Sequence, residues 1–296
     1  MSEKLKRIFS KPLKYFKIFA RQPIRSGLTL FYPKLNKVFN ARYKENPYES
    51  SIDKDGLTLL LQNVINSKIK PITIDDFISD PLILPYKNDK NAERLAKIFQ
   101  KNQSDKSNPH DYHHIYQPIL DDILSRGKNE VHISEIGLGT YNLDVLSNMG
   151  VTGMPGASLR SFKEYSNDFI LTGGDIDERI LFNEENIQTY KVDQIDISSL
   201  KHFSNLNDFD LMIDDGLHTA HSAINFLACA LDKLKNKKDS YILIEDIDMD
   251  NYEKIWINLI KTFDSIAYTW LIKTKEIYNK RVNQKTIPLV LVLKIK

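Results

Sequence analysis

This chain predicts an α/β fold: a mostly parallel sheet with helices on both faces and an antiparallel pair at one edge. Three observations lead there. Short apolar runs alternate with helical patterns from about residue 131 onward. The first run closes on a glycine-bearing turn, Glu135-Ile-Gly137-Leu-Gly139-Thr140, and two later runs close on Asp214-Asp215-Gly-Leu-His218 and Glu245-Asp246. Ligands of open α/β sheets collect at the carboxyl ends of the strands. Carboxylates there, next to a histidine, make a candidate metal site with a general base at hand.

The bulk numbers fit an ordinary globular chain with one large domain and an annex: 296 residues, 42% hydrophobic and 27% charged. The net charge of +2 hides an asymmetry. Residues 1–44 carry 12 Lys/Arg against one acid, Glu3, which leaves 29 bases and 38 acids for the rest. The single cysteine, Cys229, excludes an intrachain disulfide and lies in an apolar helical stretch, where it reads as a small core residue. With no apolar run near the ~20 residues of a membrane span and no signal-peptide core, cytoplasmic retention is the expectation.

The chain divides into three segments. Residues 1–44 form a basic amphipathic segment, a partly helical N-terminal extension in which Leu13, Phe16 and Ala20 share a face beside Lys14, Lys17 and Arg21. Such a face suits an anionic membrane, hence peripheral attachment to the inner face of the cytoplasmic membrane. A helix packed on its own domain or on a partner is the competing reading. Nucleic acid is not expected, since no recognized nucleic-acid motif accompanies the charge. Residues 45–104 read as a small, mostly helical annex, with helices at 57–65 and 92–99 and prolines between them. Residues 105–296 carry the sheet. Strands are expected at 131–136, 169–173, 188–192, 209–213, 241–244 and 288–295, with helices at 157–165, 178–186, 220–235 and 251–263. The last strand and residues 266–273 supply the antiparallel pair.

At the first strand end, Gly137 and Gly139 let the main chain turn sharply and approach a ligand. Gly174-Asp175-Ile-Asp177 ends the next strand, where an acid suits ribose hydroxyls. A dinucleotide fingerprint needs a third glycine, and Asn142 stands in its place, which counts against an NAD-dependent oxidoreductase.

Together with Asp175, Val192-Asp193-Gln194 and the edge hairpin, the glycine turn resembles the Rossmann-like class I S-adenosylmethionine-dependent methyltransferases. Gly153-Met-Pro-Gly-Ala-Ser-Leu-Arg160, Ile213-Asp-Asp-Gly-Leu-His218 and Ile244-Glu-Asp-Ile247 are similar to metal-dependent sugar O-methyltransferases of the macrolide-sugar type. The resemblance covers roughly 105–296. It implies S-adenosylmethionine held by Glu135, Gly137, Gly139, Asp175, Asp193, Gln194 and Asp214. It also implies Mg²⁺ or Mn²⁺ on Asp215, Glu245 and Asp246, with His218 as general base. Asp105-Lys106…His110-Asp-Tyr112…Tyr116 resembles an Asp-Lys…His-x-Tyr motif of related sugar methyltransferases, against a simpler reading as a linker entering an aromatic-anchored helix.

The chemistry agrees with that set. A sugar hydroxyl is a weak nucleophile while protonated; a hard cation on carboxylates lowers its pKa, and an imidazole can take the proton. Asp214 reads as a cap or ligand-orienting group. His221, Tyr141, Asn142 and Arg160 are candidates for the acceptor side, whereas His110, His113 and His114 lack the spacing of a zinc site. The expected function is O-methylation of a sugar hydroxyl, in surface glycan such as lipopolysaccharide or capsule. Methylation of a small phenolic or antibiotic-type acceptor, and a non-catalytic scaffold in glycan assembly, stay open. A homo-oligomer is compatible with each.

Overall fold

The computed structural model describes residues 71–82, 93–247, 256, 266–279 and 284–296. The basic segment 1–44, the expected helix at 57–65 and all but Trp256 of the one at 251–263 lie outside them. The described residues all fall within one compact unit, Asp53–Lys296.

The described chain begins with β1 (Ile72–Thr73) and α1 (Ile74–Ile78), where Thr73 and Asp76 form a capping box. In α2 (Arg94–Lys101), Leu95, Ile98 and Phe99 fall on one buried face, the i, i+3, i+4 pattern of an amphipathic helix. Helix α3 (His113–Leu124) buries Ile115, Tyr116, Ile119 and Ile123 in the same way. Phe77, Leu95 and Phe99 belong to the same hydrophobic cluster as Ile133, Ile213 and Leu243 on the sheet. The described parts of residues 45–104 therefore share one core with the sheet that follows.

Strand β2 (Val131–Ile136) leads through the glycine turn to α4 (Ala157–Tyr165), and β3 (Phe169–Asp175) follows. The helix expected at 178–186 does not form. A 3₁₀ turn at Glu178–Ile180 runs into a hairpin of β4 (Asn183–Glu184) and β5 (Ile187–Lys191). Asn186 takes a left-handed backbone (φ 61°) at the hairpin turn, and Thr189 Oγ1 accepts from Phe182 N at 2.6 Å, which fixes the extended pairing. A helix not expected from the sequence, α5 (Ile197–Ser204), is capped by Asp196 and buries Leu200 and Phe203. Then come β6 (Leu211–Asp214), α6 (Ala220–Leu234), β7 (Tyr241–Ile247), β8 (Ala267–Lys273), β9 (Ile277–Asn279), β10 (Gln284–Thr286) and β11 (Leu289–Ile295).

Nine strands join in the order β1-β8-β11-β7-β6-β2-β3-β5-β4, and β9 and β10 pair separately. The core pairs β2–β3, β2–β6, β3–β5 and β6–β7 are parallel. The antiparallel pair of β8 and β11 is present, but β11 inserts between β7 and β8, and β1 adds outside β8 in parallel. Alternate residues of a strand face opposite sides. Ile213 and Leu243 join the main cluster while Met212 and Ile242 are equally buried outside it, so both faces of the sheet are covered. Cys229 is buried, as the apolar pattern of α6 predicts, and burial pushes its thiol pKa up. Among the described residues no helix is long and apolar enough to cross a membrane.

Candidate active site

Strand order reverses at β2, which lies between β3 and β6; such a switch point opens a crevice at the carboxyl ends of the strands. Register sets what meets there. Ile136 pairs with Asp214 and Asp214 with Ile244, so the glycine turn, Asp215 and Glu245 leave three neighbouring strands side by side.

Gly137 has φ 97°, and a Cβ on it would lie 2.0 Å from the carbonyl oxygen of Asp215. Only glycine fits between the turn and the exit of β6. Asp175 ties the turn to β3: Oδ2 accepts from Leu138 N at 2.8 Å and Oδ1 from Asp177 N at 2.9 Å. Burial still raises its pKa. Asp177 then anchors the loop beyond Gly139, accepting from Thr140 Oγ1 at 2.6 Å, Asn142 Nδ2 at 2.7 Å and Arg179 Nε at 2.6 Å. Its carboxyl is held well below the usual range, chiefly by Arg179.

Gln194 links the β5 exit to the β6 exit. Its Nε2 donates to Asp214 Oδ1 at 2.6 Å and its Oε1 accepts from Leu217 N at 2.7 Å. Burial pushes Asp214 up to about 6, against the opposing pull of Gln194. Asp193 uses Oδ1 to accept from Ile195 N at 2.9 Å in the turn before α5. Glu135 is buried, accepts from Ser158 Oγ, and is pushed up to about 7 by burial.

The acidic strand ends divide by depth. His218 Nε2 lies 3.8 Å from both Asp215 Oδ1 and Asp246 Oδ2, and the side chains of all three are about a quarter exposed (23%, 24% and 29%). Their donor atoms lie within 4.8 Å of one another, a spacing that a single cation can span. Asp246 and His218 both hold left-handed backbones, φ 51° and 55°. Such conformations in non-glycine residues concentrate at functional sites. Asp246 accepts from Tyr112 Oη; burial opposes its ionization, but His218 and His110 hold its pKa below the usual value.

Glu245 lies deeper, at 3% exposure, and no atom of it joins that cluster. Its Oε1 accepts from Lys106 Nζ at 2.6 Å and from Tyr116 Oη. Burial, then the neighbouring Asp215, pushes its pKa well up. Lys106 is itself buried, with Nζ also 2.6 Å from Asp215 Oδ2 and 3.3 Å from Glu135 Oε1. Burial favours its neutral form, but the carboxylates outweigh that and hold its pKa well up.

Sequence reasoning thus named every carboxylate here and missed how Lys106, Tyr112 and Tyr116 meet them. The available signal was the spacing of Tyr112 and Tyr116, four apart at the start of one helix, just after a lysine. Arg160 pairs with Glu184 at 2.7 Å and lies over the Phe182 ring. His221 sits half-buried in the first turn of α6. A pocket beside the cluster is lined by Asp214, His218, Thr219, Ile244, Asp246 and Trp256.

No family model matches the chain. It is 27% identical over 154 residues to the 8-demethyl-8-alpha-L-rhamnosyl tetracenomycin-C 2'-O-methyltransferase of Streptomyces olivaceus, an alignment that covers 52% of this chain and 37% of that relative. Among solved structures, the MycE methyltransferase of the mycinamycin pathway, in complex with Mg, SAH and mycinamycin VI, aligns with a TM-score of 0.50 at 19% identity. That alignment covers 68% of this chain and 53% of MycE. The likeness shows a shared fold, that of the class I methyltransferases. The chain spans about half the length of MycE and 37% of the Streptomyces relative.

Proposed function

We propose that this chain transfers a methyl group from S-adenosylmethionine to a sugar hydroxyl, aided by a divalent cation. The observation that carries the reading is His218 Nε2 at 3.8 Å from both Asp215 and Asp246, at strand ends beside the glycine turn. Relatives named as a sugar 2'-O-methyltransferase and as a methyltransferase bound to Mg and SAH support it.

The residues present suit a hard cation. Asp215 and Asp246 offer carboxylate oxygens, and their partial exposure leaves positions for an acceptor. Mg²⁺ or Mn²⁺ bound there would supply Lewis acidity that lowers the pKa of the hydroxyl. Glu135, Gly137, Gly139, Asp175, Asp193, Gln194 and Asp214 would line the cofactor, largely by shaping the loops that receive it. In the transfer, the acceptor oxygen forms a bond to the methyl carbon as the carbon–sulfur bond breaks. His218 Nε2 takes the hydroxyl proton, and the two aspartates stabilize the imidazolium that results.

The acceptor we favour is a sugar of a surface glycan, with residues 1–44 as a basic membrane-facing segment ahead of a helical annex at 45–104 and the catalytic domain at 105–296. The names of the relatives favour a second reading, a sugar on an antibiotic-type molecule. Calorimetry of S-adenosylmethionine with and without chelator, followed by turnover on both acceptor classes, tests the reading. Absence of cofactor binding in either condition overturns it. Unchanged liposome binding after deletion of residues 1–44 removes the membrane role.

A further inference from the structure

We infer that Tyr112 and Tyr116 are positioning residues that hold the two carboxylates ending β7, Asp246 and Glu245, in place for a divalent cation. The inference rests on the cation-assisted reading above and adds to it the groups that orient the acids.

Three observations carry it. Tyr112 Oη donates to Asp246 Oδ1 and Tyr116 Oη to Glu245 Oε1, so adjacent acids of one strand each take a hydroxyl from one helix. Tyr116 N donates to the Tyr112 carbonyl at 2.9 Å, which sets the two rings one helical turn apart on the same face. Neighbouring strand residues ordinarily face opposite sides. The left-handed backbone at Asp246 (φ 51°) breaks that alternation, and both carboxylates meet α3. Both rings are buried, so the hydroxyls are committed to these acids rather than to solvent. On Asp246 the hydroxyl occupies Oδ1 and leaves Oδ2 toward His218, 3.8 Å away. Donors behind a ligating carboxylate fix which oxygen it offers and at what angle.

The same helix and strand supply a control. At their other ends Tyr241 Oη, equally buried, donates to Asp122 Oδ2 of α3 at 2.7 Å, away from the strand-end acids. The test uses the full chain and Mn²⁺ alone, followed by loss of the free-ion electron paramagnetic resonance signal, with urea midpoints measured in parallel. Tyr112→Phe keeps the ring and removes only the hydroxyl; it is expected to weaken Mn²⁺ affinity by about tenfold or more. Tyr241→Phe is expected to lower the urea midpoint while Mn²⁺ affinity stays within about twofold. Equal Mn²⁺ affinity in the parent and both variants overturns the inference and leaves the tyrosines as fasteners of helix to strand. So does a loss in Tyr241→Phe as large as that in Tyr112→Phe. If Tyr112→Phe does not fold, Tyr116→Phe carries the comparison, with about threefold or more expected because Lys106 still holds Glu245 Oε1. A parent that binds Mn²⁺ with no response to either substitution ends this inference and leaves the cation-assisted reading standing. A parent that binds no Mn²⁺ ends both.

Discussion

His218 Nε2 lies 3.8 Å from Asp246 Oδ2, joining two residues that both hold left-handed backbone conformations. In the proposed transfer the imidazole is the proton acceptor. His218→Ala is expected to lower kcat by about 10²–10⁴-fold while S-adenosylmethionine affinity stays within calorimetric error. Loss of cofactor binding instead would assign His218 to the cofactor pocket.

Chelation should separate the two halves of the site. With EDTA present, turnover is expected to stop while the cofactor still binds, because its proposed contacts, at the β2, β3 and β5 exits and at Asp214 on β6, do not include the proposed cation ligands. Calorimetry and a methyl-transfer assay on the same sample check this.

Gly137→Ala should destabilize the fold. The new Cβ would meet Asp215 backbone at 2.0 Å and the residue would keep φ 97°, so a loss of about 2 kcal/mol or more is expected in urea unfolding.

Asp177→Ala should loosen the loop that follows Gly139 by releasing Thr140, Asn142 and Arg179 together. The expected outcome is S-adenosylmethionine binding weaker by about tenfold, with the unfolding midpoint falling modestly.

His113 gives a pH signature away from the carboxylates. Burial, then His114, lowers its pKa from 6.5 to about 4, against the smaller pull of Asp111 and Glu93; Lys275 adds to the lowering. The unfolded chain therefore binds more protons between about pH 4 and 6.5. Stability contributed by this group is present above 6.5 and is lost as pH falls through that window. With solvent screening allowed for, the full loss is on the order of 2 kcal/mol. His113→Gln should flatten the dependence, read from urea midpoints across the range.

The alternation of apolar runs made the parallel core legible, because buried parallel strands have few other ways to appear in sequence. The acids at the ends of β6 and β7 were legible for the same reason: they terminate apolar runs. Strand β5 falls on the strand expected at 188–192, but its hairpin partner β4 was not legible, since Asn186 makes a left-handed turn inside a stretch whose apolar spacing also fits a helix. Nor was the placement of Lys106, whose partners Asp215 and Glu245 lie 109 and 139 residues away and meet it only through the register of neighbouring strands.

The left-handed backbones at His218 and Asp246 also bear on how such a chain changes over generations. Each holds a side chain at the site against its own conformational preference, on the order of 1 kcal/mol. A descendant released from the chemistry would gain by admitting glycine or asparagine at both positions. Among copies of this chain, replacement at 218 and 246 together would mark lineages in which the fold has outlived its reaction.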